Sequence, residues 1–241
     1  MITRTGDAAR RIVVTGASRG LGLEFVRQWL ERGETAFALA RDPEASSGLS
    51  ALVRRYPEAL TTVACDVADD GSVARAGSAV EEIVDGLETV VNNAGVMGEH
   101  RGFDDLDTTE VRRHFEVNAL GPLRIVRTLL PLLRRGRPVR RIVHMTSLMG
   151  SIEDNRSGDA YAYRMSKAAL NMASRSLAID LADDEIVSAV LHPGWVRTRM
   201  GGRSAPLGVD TAVRGLIQTI EALGPGESGG FYDREGKPLP W

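Results

Sequence analysis

TGASRGLG, residues 15–22, joins the first apolar run of this chain to its first amphipathic segment. Its glycines stand at positions 16, 20 and 22, a G-x-x-x-G-x-G spacing. A glycine at 16 permits a tight turn, and the missing side chains let a phosphate group approach the backbone. The free N–H groups and positive dipole end of the next helix favour an anion there. The stretch therefore predicts a phosphate-binding turn between a strand and a helix; a plain glycine turn is the alternative interpretation.

The segments around the turn predict the class of fold. RIVVT, residues 11–15, is typical of a buried strand, and Leu21, Phe25 and Trp29 recur on one face of a helix. Along the rest of the chain, short continuous apolar runs alternate with helical patterns, which indicates parallel strands covered on both faces. We therefore predict an α/β fold with a doubly wound, Rossmann-type parallel sheet of about seven strands and helices on both faces, formed as a single domain by residues 1–241.

The predicted elements follow from the same patterns. Asp107-Thr108-Thr109-Glu110 has the form of a capping box and predicts the start of one long helix that reaches about residue 135. The predicted strands are 11–15, 35–40, 60–64, 88–92, 140–145, 186–191 and 229–233. The predicted helices are 21–32, 49–56, 72–85, 108–135, 160–181 and 209–223.

Composition excludes several classes of function. The net charge of −2 argues against nucleic acid or an anionic membrane as the main partner. Cys65 is the only cysteine, so no intrachain disulfide can form, and the four histidines have no metal-ligand spacing. The first residues, MITRTGDAARR, lack the apolar centre of a signal peptide, and no apolar run approaches the ~20 residues of a membrane span. We expect a cytoplasmic protein without a metal.

The end of the second predicted strand bears on the choice of dinucleotide. An acid at this position holds the ribose 2′-OH of NAD, whereas an arginine accepts the 2′-phosphate of NADP. Here the strand ends in Ala40-Arg41-Asp42, and Arg19 in the glycine turn is a second cation nearby. Two guanidinium groups suit a phosphate, so NADP(H) is favoured over NAD(H). Asp42 leaves the alternative open, because it could be the ribose-binding acid one residue late.

Further motifs follow the turn along the chain: ACDVAD (64–69), NNAG (92–95), Asn118, Ser147, Tyr163-x-x-x-Lys167 and HPGWVRT (192–198). In this order they resemble the short-chain dehydrogenase/reductase family over about residues 11–200. GSIEDNRSGDAYAYRMSKAALNM, PGWVRTRMGG and GKPLPW resemble its C-factor/sniffer-like carbonyl reductase branch. The resemblance implies the strand order 3-2-1-4-5-6-7 and a homodimer or homotetramer that pairs the helices 108–135 and 160–181.

The resemblance also implies roles for single residues. The catalytic residues would be Asn118, Ser147, Tyr163 and Lys167. The cofactor-binding residues would be Gly16, Ser18, Arg19, Gly20, Leu21 and Gly22 at the phosphates, Arg41 at the 2′-phosphate, Asp66 and Val67 at the adenine, Asn93, Ala94 and Gly95 at the ribose, Tyr163 and Lys167, and Pro193, Gly194, Val196 and Thr198 at the nicotinamide. Taken singly, Asp66 could instead cap a helix, and NNAG could be only a turn.

Reduction of a carbonyl needs a proton donor, and helical spacing selects the tyrosine. Tyr163 and Lys167 are four residues apart on one helix face, whereas Tyr161 and Lys167 lie on nearly opposite faces. The unperturbed pKa of tyrosine is ~10, and we expect the Lys167 ammonium to lower it toward working pH. Lys167 is one of only two lysines among the 30 basic residues, which mildly supports a need for its compact charge.

Two more residues complete the predicted catalytic group. Ser147 follows the strand 140–145, at the edge of the sheet where ligands bind, and its hydroxyl could hold the substrate oxygen. Asn118 lies four residues before Pro122, which has no N–H, so the Asn118 carbonyl loses its usual helical donor and could hold a water. The resemblance associates this position with a water relay to the lysine. A simple proline kink facing bulk solvent is the alternative interpretation.

Together these patterns predict an NADPH-dependent oxidoreductase that transfers a hydride between nicotinamide and a small-molecule carbonyl or alcohol. The substrate would lie among loops near 97–103, 148–159 and 195–208. The alternative hypothesis is a dinucleotide-binding signalling or sensor protein on the same fold, without physiological turnover. The complete set of predicted catalytic residues favours the enzyme.

Overall fold

The computed structural model describes residues 9–99 and 102–241. Residues 1–8, which form most of the N-terminal stretch MITRTGDAARR, lie outside the described residues, as do residues 100 and 101 of the predicted substrate loop 97–103. The strands are β1 (Arg11–Thr15), β2 (Thr35–Ala40), β3 (Leu60–Ala64), β4 (Thr89–Asn92), β5 (Arg140–Met145), β6 (Ile186–His192) and β7 (Phe231–Asp233). The α-helices are α1 (Gly20–Glu31), α2 (Ser47–Arg55), α3 (Asp70–Glu81), α4 (Thr108–Phe115), α5 (Gly121–Arg135), α6 (Tyr161–Asp180) and α7 (Val209–Ala222).

The strands form a seven-stranded sheet in the order β3-β2-β1-β4-β5-β6-β7. Every neighbouring pair of strands is parallel, with Ile12 opposite Ala36 on β2 and opposite Thr89 on β4. The predicted fold class and strand order are confirmed. Because the chain leaves β1 toward β2 on one side and later returns to β4 on the other, a crevice opens beyond the carboxyl ends of β1 and β4.

Each face of the sheet is covered by helices that bury apolar side chains. On one face, α1 and α7 pack over the sheet, with Phe25 and Trp29 stacked at a ring-centroid distance of 5.1 Å. On the other face, Val80 of α3 and Leu129 of α5 pack against Val13 and Val90. Burial on both faces is the physical reason why the strands are continuous apolar runs.

The prediction of one continuous helix over residues 108–135 is wrong in the middle of that range. A π-helical turn, Glu116–Leu120, separates α4 from α5, and the Gly121 N–H donates to the Glu116 carbonyl. Pro122 cannot donate to Asn118, so the backbone widens there into the larger hydrogen-bonded ring. The capping residue is correct, because the Asp107 carboxylate accepts a hydrogen bond from the Thr109 N–H at 2.8 Å.

Candidate functional site

The glycine turn joins β1 to α1, and its glycines are required by close packing. Gly16 has φ +65°, and a Cβ added there would lie 2.8 Å from Ala94 Cα. A Cβ on Gly22 would lie 2.4 Å from the Gly16 carbonyl oxygen. Gly20 has φ +56°, and a Cβ on it would first meet the Thr198 methyl, at 3.6 Å. The turn is therefore a bare backbone surface that lies beside the 193–198 segment.

The start of α1 has the properties of an anion site. Arg19 is the N-cap residue, and no side chain caps the first turn of this 12-residue helix. The free N–H groups point out of the helix end, where its dipole is positive. The Ser18 carbonyl accepts a hydrogen bond from Ser46 Oγ at 2.7 Å, which fixes the outer side of the turn. These backbone groups, with the close-packed glycines, fit the pyrophosphate of a dinucleotide.

Arg19 and Arg41 are both exposed at the ends of the neighbouring strands β1 and β2. Asp42, the residue that could favour NAD, takes part in a local turn in which its carboxylate accepts a hydrogen bond from the Ala45 N–H at 3.1 Å. This bond occupies one carboxylate oxygen of Asp42. Arg19 and Arg41 are thus two exposed guanidinium groups that could hold a phosphate beside the glycine turn.

NNAG closes the crevice on the β4 side. Asn93 Nδ2 donates to the Thr15 carbonyl at 2.9 Å, and the N–H groups of Asn93 and Ala94 both donate to Thr15 Oγ1 at 3.0 Å. These bonds tie the end of β4 to the glycine turn across the crevice. NNAG is thus more than a turn, and Gly95 leaves space beside Asn118 and Lys167, with Lys167 Nζ 3.7 Å from a Cβ added at Gly95.

Asp66 and Val67 follow β3 on the opposite side of the crevice. The Asp66 carboxylate accepts from the Ala68 N–H at 3.0 Å, while Asp69 caps α3 by accepting from the Ser72 N–H. The alternative in which Asp66 caps the helix is therefore wrong. Val67 is buried against Gly121, where α5 begins.

Ser147 and Tyr163 meet at the carboxyl end of β5. Ser147 Oγ accepts the Met149 N–H at 3.2 Å, and the Ser147 hydroxyl lies beside the Tyr163 hydroxyl, where a hydrogen bond between them can form. Tyr163 is 8% exposed. Burial raises the pKa of Tyr163 to about 12, and the hydrogen bond with Ser147 opposes the rise. The expected lowering by Lys167 is not found, because desolvation of the phenolate is the larger effect.

Lys167 is buried beneath Tyr163. Its Nζ donates to the Met145 carbonyl at 2.7 Å and lies 5.7 Å from the centre of the Tyr163 ring. Burial lowers the pKa of Lys167 to about 8. A Cβ on Gly150 would lie 2.8 Å from Lys167 Cβ, so the end of the Ser147 turn packs directly on α6 at Lys167.

Asn118 lies within the π turn and is fully buried. Its side chain accepts from the Val96 N–H at 2.8 Å and donates to the Val96 carbonyl at 2.9 Å and to Ser166 Oγ at 3.0 Å. Asn118 therefore pins the segment after NNAG to α6 through its side chain. The alternative of a proline kink open to bulk solvent does not fit this burial.

The 193–198 segment forms the wall opposite NNAG. Gly194 has φ +83°, Val196 is buried and pairs with Leu207, and Thr198 Oγ1 accepts the Gly201 N–H at 3.1 Å. Pro193 follows the last residue of β6. This segment and the Ser147 turn lie at the ends of neighbouring strands, so the predicted nicotinamide and catalytic residues face one region.

A cavity of about 340 Å³ adjoins the Tyr163 side of this region. Among its lining residues are Gly98, Glu110, His114 and Tyr161. His114 is buried, accepts the Gly98 N–H on Nε2 at 3.0 Å, and contacts Tyr163 edge-on with ring centroids 6.5 Å apart. Tyr161 lines the cavity and packs on Phe103, so it is not the residue beside Lys167.

Side-chain hydrogen bonds hold the other two predicted substrate loops, residues 148–159 and 195–208. Arg164 on α6 donates to the Gly158 carbonyl at 2.9 Å and to Ser157 Oγ at 2.8 Å. Trp195 Nε1 donates to the Gly201 carbonyl at 2.7 Å while its ring stays 58% exposed. Ile152 is 80% exposed. Apolar surface therefore stands open at the rim of the site.

Sequence reasoning missed three polar residues that organise the site. Thr15 bridges β1 to NNAG, Ser166 accepts from Asn118 and donates to the Tyr163 carbonyl at 2.8 Å, and His192 accepts the Leu148 N–H. Each lies within a motif quoted from the sequence, and that position was the only signal in the sequence. Their partners are distant in sequence and come together only in the folded chain.

Across residues 9–99 and 102–241, no group of His, Cys, Asp or Glu side chains could hold a metal ion. Within the same residues, no helix is both long and apolar enough to cross a membrane.

The chain is similar to known oxidoreductases. Residues 10–206 match the family described as short chain dehydrogenase. C-signal from Myxococcus xanthus is 49% identical over 155 residues, which cover 64% of this chain and 93% of that protein. Carbonyl reductase Sniffer of D. melanogaster superposes with a TM-score of 0.93 at 33% identity, over 97% of this chain and 100% of that one. The NADPH-bound carbonyl reductase from chicken fatty liver superposes with a TM-score of 0.91 at 32% identity, over 98% and 100% of the two chains. This chain therefore belongs to the short-chain dehydrogenase family of NAD(P)-dependent oxidoreductases.

Proposed function

We propose that this protein is an NADPH-dependent carbonyl reductase or alcohol dehydrogenase in which Tyr163 is the general acid and base. The observation that carries the proposal is that the Tyr163 ring lies 5.7 Å from the buried Lys167 ammonium nitrogen and beside Ser147, close to a bare glycine turn. We propose further that residues 1–241 act as one domain that both binds the dinucleotide and carries the catalytic residues. Carbonyl reductases bound to NADPH or NADP occur among the similar structures, which supports this assignment.

In the proposed mechanism, the glycine turn and the start of α1 hold the pyrophosphate, and Arg19 and Arg41 bind the 2′-phosphate. When bound, NADPH supplies the hydride to the carbonyl carbon. Ser147 holds the carbonyl oxygen while the Tyr163 hydroxyl donates its proton to that oxygen, which completes the alcohol. With a pKa of about 12, Tyr163 is a neutral phenol at neutral pH, the form that reduction requires.

Lys167 and Asn118 support Tyr163 from below. The Lys167 ammonium stabilises the phenolate left after proton donation. Asn118 fixes the backbone segment that passes beside Lys167. Pro122 has no N–H to give the Asn118 carbonyl, the group that the resemblance associates with a water relay. Proton return to Tyr163 would then run from solvent through this relay and the lysine.

The two tyrosines provide a matched test of the acid. Tyr163→Phe should lower kcat/KM for an active carbonyl substrate by roughly 10²-fold or more, since proton transfer in the transition state is lost. Tyr161→Phe keeps its ring on Phe103 and should remain near the wild type. Turnover is followed by NADPH absorbance across a panel of aldehydes, ketones and quinones. Near-wild-type turnover of Tyr163→Phe would contradict the assignment of Tyr163 as the general acid.

Cofactor preference is tested by fluorescence titration with NADPH and NADH. Arg41→Ala should weaken NADPH binding by at least roughly tenfold, the loss of one charge-assisted phosphate contact, and leave NADH binding nearly unchanged. Arg54→Ala, an exposed arginine on α2, is the control. Equal affinities of the wild type for both dinucleotides, unmoved by Arg41→Ala, would refute the NADP preference.

The second candidate function is a dinucleotide-binding signalling protein. It is favoured by the 49% identity with C-signal over 155 residues. Tight NADPH binding with no reduction of any compound in the substrate panel would favour it over the enzyme. The shared presence of Ser147, Tyr163 and Lys167 in one geometry supports the enzyme as the leading proposal.

We propose a homodimer or homotetramer formed through α5 and α6. Met165, Met172 and Ile179 stand exposed on α6 at seven-residue spacing, and Leu123 is exposed on α5. Such a stripe fits a helix-pairing interface. Light scattering after gel filtration should give a multiple of the 26.0 kDa chain, and Met172→Glu should shift it toward the monomer. A wild-type monomer at micromolar concentration would contradict this proposal.

A further inference from the structure

The turn that carries Ser147 is held across the ends of β5 and β6. The Thr146 N–H donates to the Leu191 carbonyl at 2.9 Å, which continues the ladder between the two strands. The Leu148 N–H then donates to a side chain, His192 Nδ1, at 3.3 Å. β6 ends at His192, and Pro193 follows it. The imidazole therefore accepts the hydrogen bond where the backbone ladder stops.

This contact holds the residue that follows Ser147. The Ser147 carbonyl accepts the Gly150 N–H at 2.9 Å, and its hydroxyl accepts the Met149 N–H at 3.2 Å. Ser147 thus begins a short, closed turn whose next residue is anchored to His192. If the Leu148 N–H loses its acceptor, the turn can rotate and carry the Ser147 hydroxyl away from Tyr163.

The charged groups around His192 come from two elements. Asp233 lies opposite His192 in the register of β6 and β7, Arg234 follows it, and Asp154 belongs to the loop before α6. Burial lowers the pKa of His192 below its ordinary value of 6.5; Asp233 and Asp154 raise it, and Arg234 lowers it. A neutral ring with its proton on Nε2 can accept on Nδ1, whereas a protonated ring places a donor against the Leu148 donor.

We propose that His192 is a positioning residue for Ser147, and that protonation of its ring releases the Ser147 turn and lowers activity at acidic pH. The inference rests on the proposed function, since it concerns the same catalytic group. It assigns to the first residue of HPGWVRT a task distinct from the nicotinamide contacts of the residues after it.

Two substitutions of His192 distinguish the effect of losing the hydrogen-bond acceptor from the effect of losing the titrating ring. His192→Asn keeps an acceptor near the position of Nδ1 but does not titrate; kcat/KM for carbonyl reduction should stay within about 3-fold of the wild type at pH 8 and lose the acidic fall that the wild type shows below pH 6.5. His192→Leu removes the acceptor and should lower kcat/KM about tenfold at pH 8, because a partly buried N–H is left unpaired. The difference from the wild type should shrink at acidic pH, where protonation removes the acceptor from the wild-type ring as well. Equal activity of the Asn and Leu variants, or an unchanged acidic fall in both, overturns the proposal.

A double-mutant cycle tests whether the effect passes through Ser147. In a Ser147→Ala background, His192→Leu should cause less than about a 2-fold further loss, because there is no hydroxyl left to position. A full, independent tenfold loss in that background would mean that His192 acts elsewhere, and would overturn the proposal.

A readout without turnover separates this inference from the proposed function. In amide NMR spectra of the free protein, the Leu148 N–H shift should titrate with the His192 ring in the wild type and be independent of pH in His192→Asn. If the Leu148 amide shift does not change with protonation of the His192 ring, the inference is overturned even if the enzyme is active. If instead the amide titrates but the wild type reduces no carbonyl compound, the proposed function has failed, and the catalytic part of this inference falls with it.

Discussion

Burial decides the protonation behaviour of the catalytic side chains. Sequence spacing predicted that Lys167 would lower the pKa of Tyr163, but desolvation raises it to about 12 and lowers the pKa of Lys167 to about 8. Both shifts disfavour the charged form of each group, as expected for side chains 8% and 5% exposed. Spacing selected a pair of residues that lie together in the fold, whereas the sign of the electrostatic effect depended on how deeply α6 packs.

The two lysines of the chain allow a test of whether position 167 requires a compact charged group. Lys167→Arg should lower kcat/KM at least about tenfold and weaken NADPH binding, because the wider guanidinium has to fit where the buried Lys167 Nζ donates to the Met145 carbonyl, beside the Tyr163 ring. Lys237→Arg, at an exposed position, is the control and should be neutral. Steady-state kinetics and fluorescence titration measure both effects. An active Lys167→Arg enzyme would show that a compact charge is not required.

At the scale of elements, the π turn between α4 and α5 positions Asn118. Its side chain satisfies both backbone groups of Val96, which continue NNAG toward the cavity. Pro122 supplied a sequence reason for a disturbed helix, and the structure converts that disturbance into a wider turn. The side-chain clamp was not predicted, because Val96 is 22 residues away in sequence.

Removing this clamp should destabilise the protein measurably. Asn118→Ala leaves the Val96 N–H and carbonyl without their partner and should cost roughly 2–4 kcal/mol of unfolding free energy. Asn155→Ala removes only an exposed bond to the Gly158 N–H and should cost less than ~1 kcal/mol. Urea denaturation gives both values. Similar losses in the two variants would contradict the proposed importance of the buried clamp.

The glycine turn is a second element with a sharp steric requirement. Gly22→Ala places a Cβ against the Gly16 carbonyl and should cost about 1–3 kcal/mol while weakening NADPH binding, since the turn has to open. A Cβ on Gly226 meets no atom within 4 Å, so Gly226→Ala should lie within about 0.5 kcal/mol of the wild type. Thermal unfolding and fluorescence titration compare the two. An unaffected Gly22→Ala protein would refute the close packing of the turn.

At the scale of the whole molecule, a buried carboxylate joins segments at the amino-terminal ends of the strands, the side of the sheet opposite the site. Glu88 is 2% exposed and accepts from the Arg11 N–H at 2.7 Å, from Arg11 Nη2 at 2.6 Å and from the Arg137 N–H at 3.1 Å. Burial alone would raise its pKa, but the hydrogen bonds from Arg11 and Arg137 prevail and lower the pKa to about 2. This carboxylate joins the start of β1 to the segments before β4 and β5.

The lowered pKa predicts part of the acid sensitivity of the fold. The folded pKa of about 2 lies below the ordinary 4.5, so the stabilisation is present above pH 4.5 and is lost as pH falls from 4.5 toward 2. Glu88→Gln should cost on the order of 2 kcal/mol at pH 7, and this difference from the wild type should shrink across that range. Glu81→Gln, which breaks an exposed pair with Arg135, is the control. A pH-independent cost of Glu88→Gln would contradict the linkage.

The sequence by itself determined the sheet and supplied the candidates for the main site residues. Continuous apolar runs are a local consequence of burial on both faces, so β1, β2, β3 and β5 were predicted with the bounds that the structure has. The glycine spacing and the i,i+4 relation of Tyr163 to Lys167 are likewise local, because backbone clashes and helix geometry operate over a few residues.

Tertiary structure alone decided how those residues behave. The π turn, the Asn118 clamp on Val96, the pKa directions of Tyr163 and Lys167, and the His192 contact to the Ser147 turn all depend on groups from separate elements. Desolvation and long-range hydrogen bonds are set by which segments meet at the carboxyl end of the sheet. A local sequence pattern does not show which distant segments come into contact. The sequence therefore indicated which residues to propose for the site, and the packing of α6 against β5 and β6 decided their protonation and support.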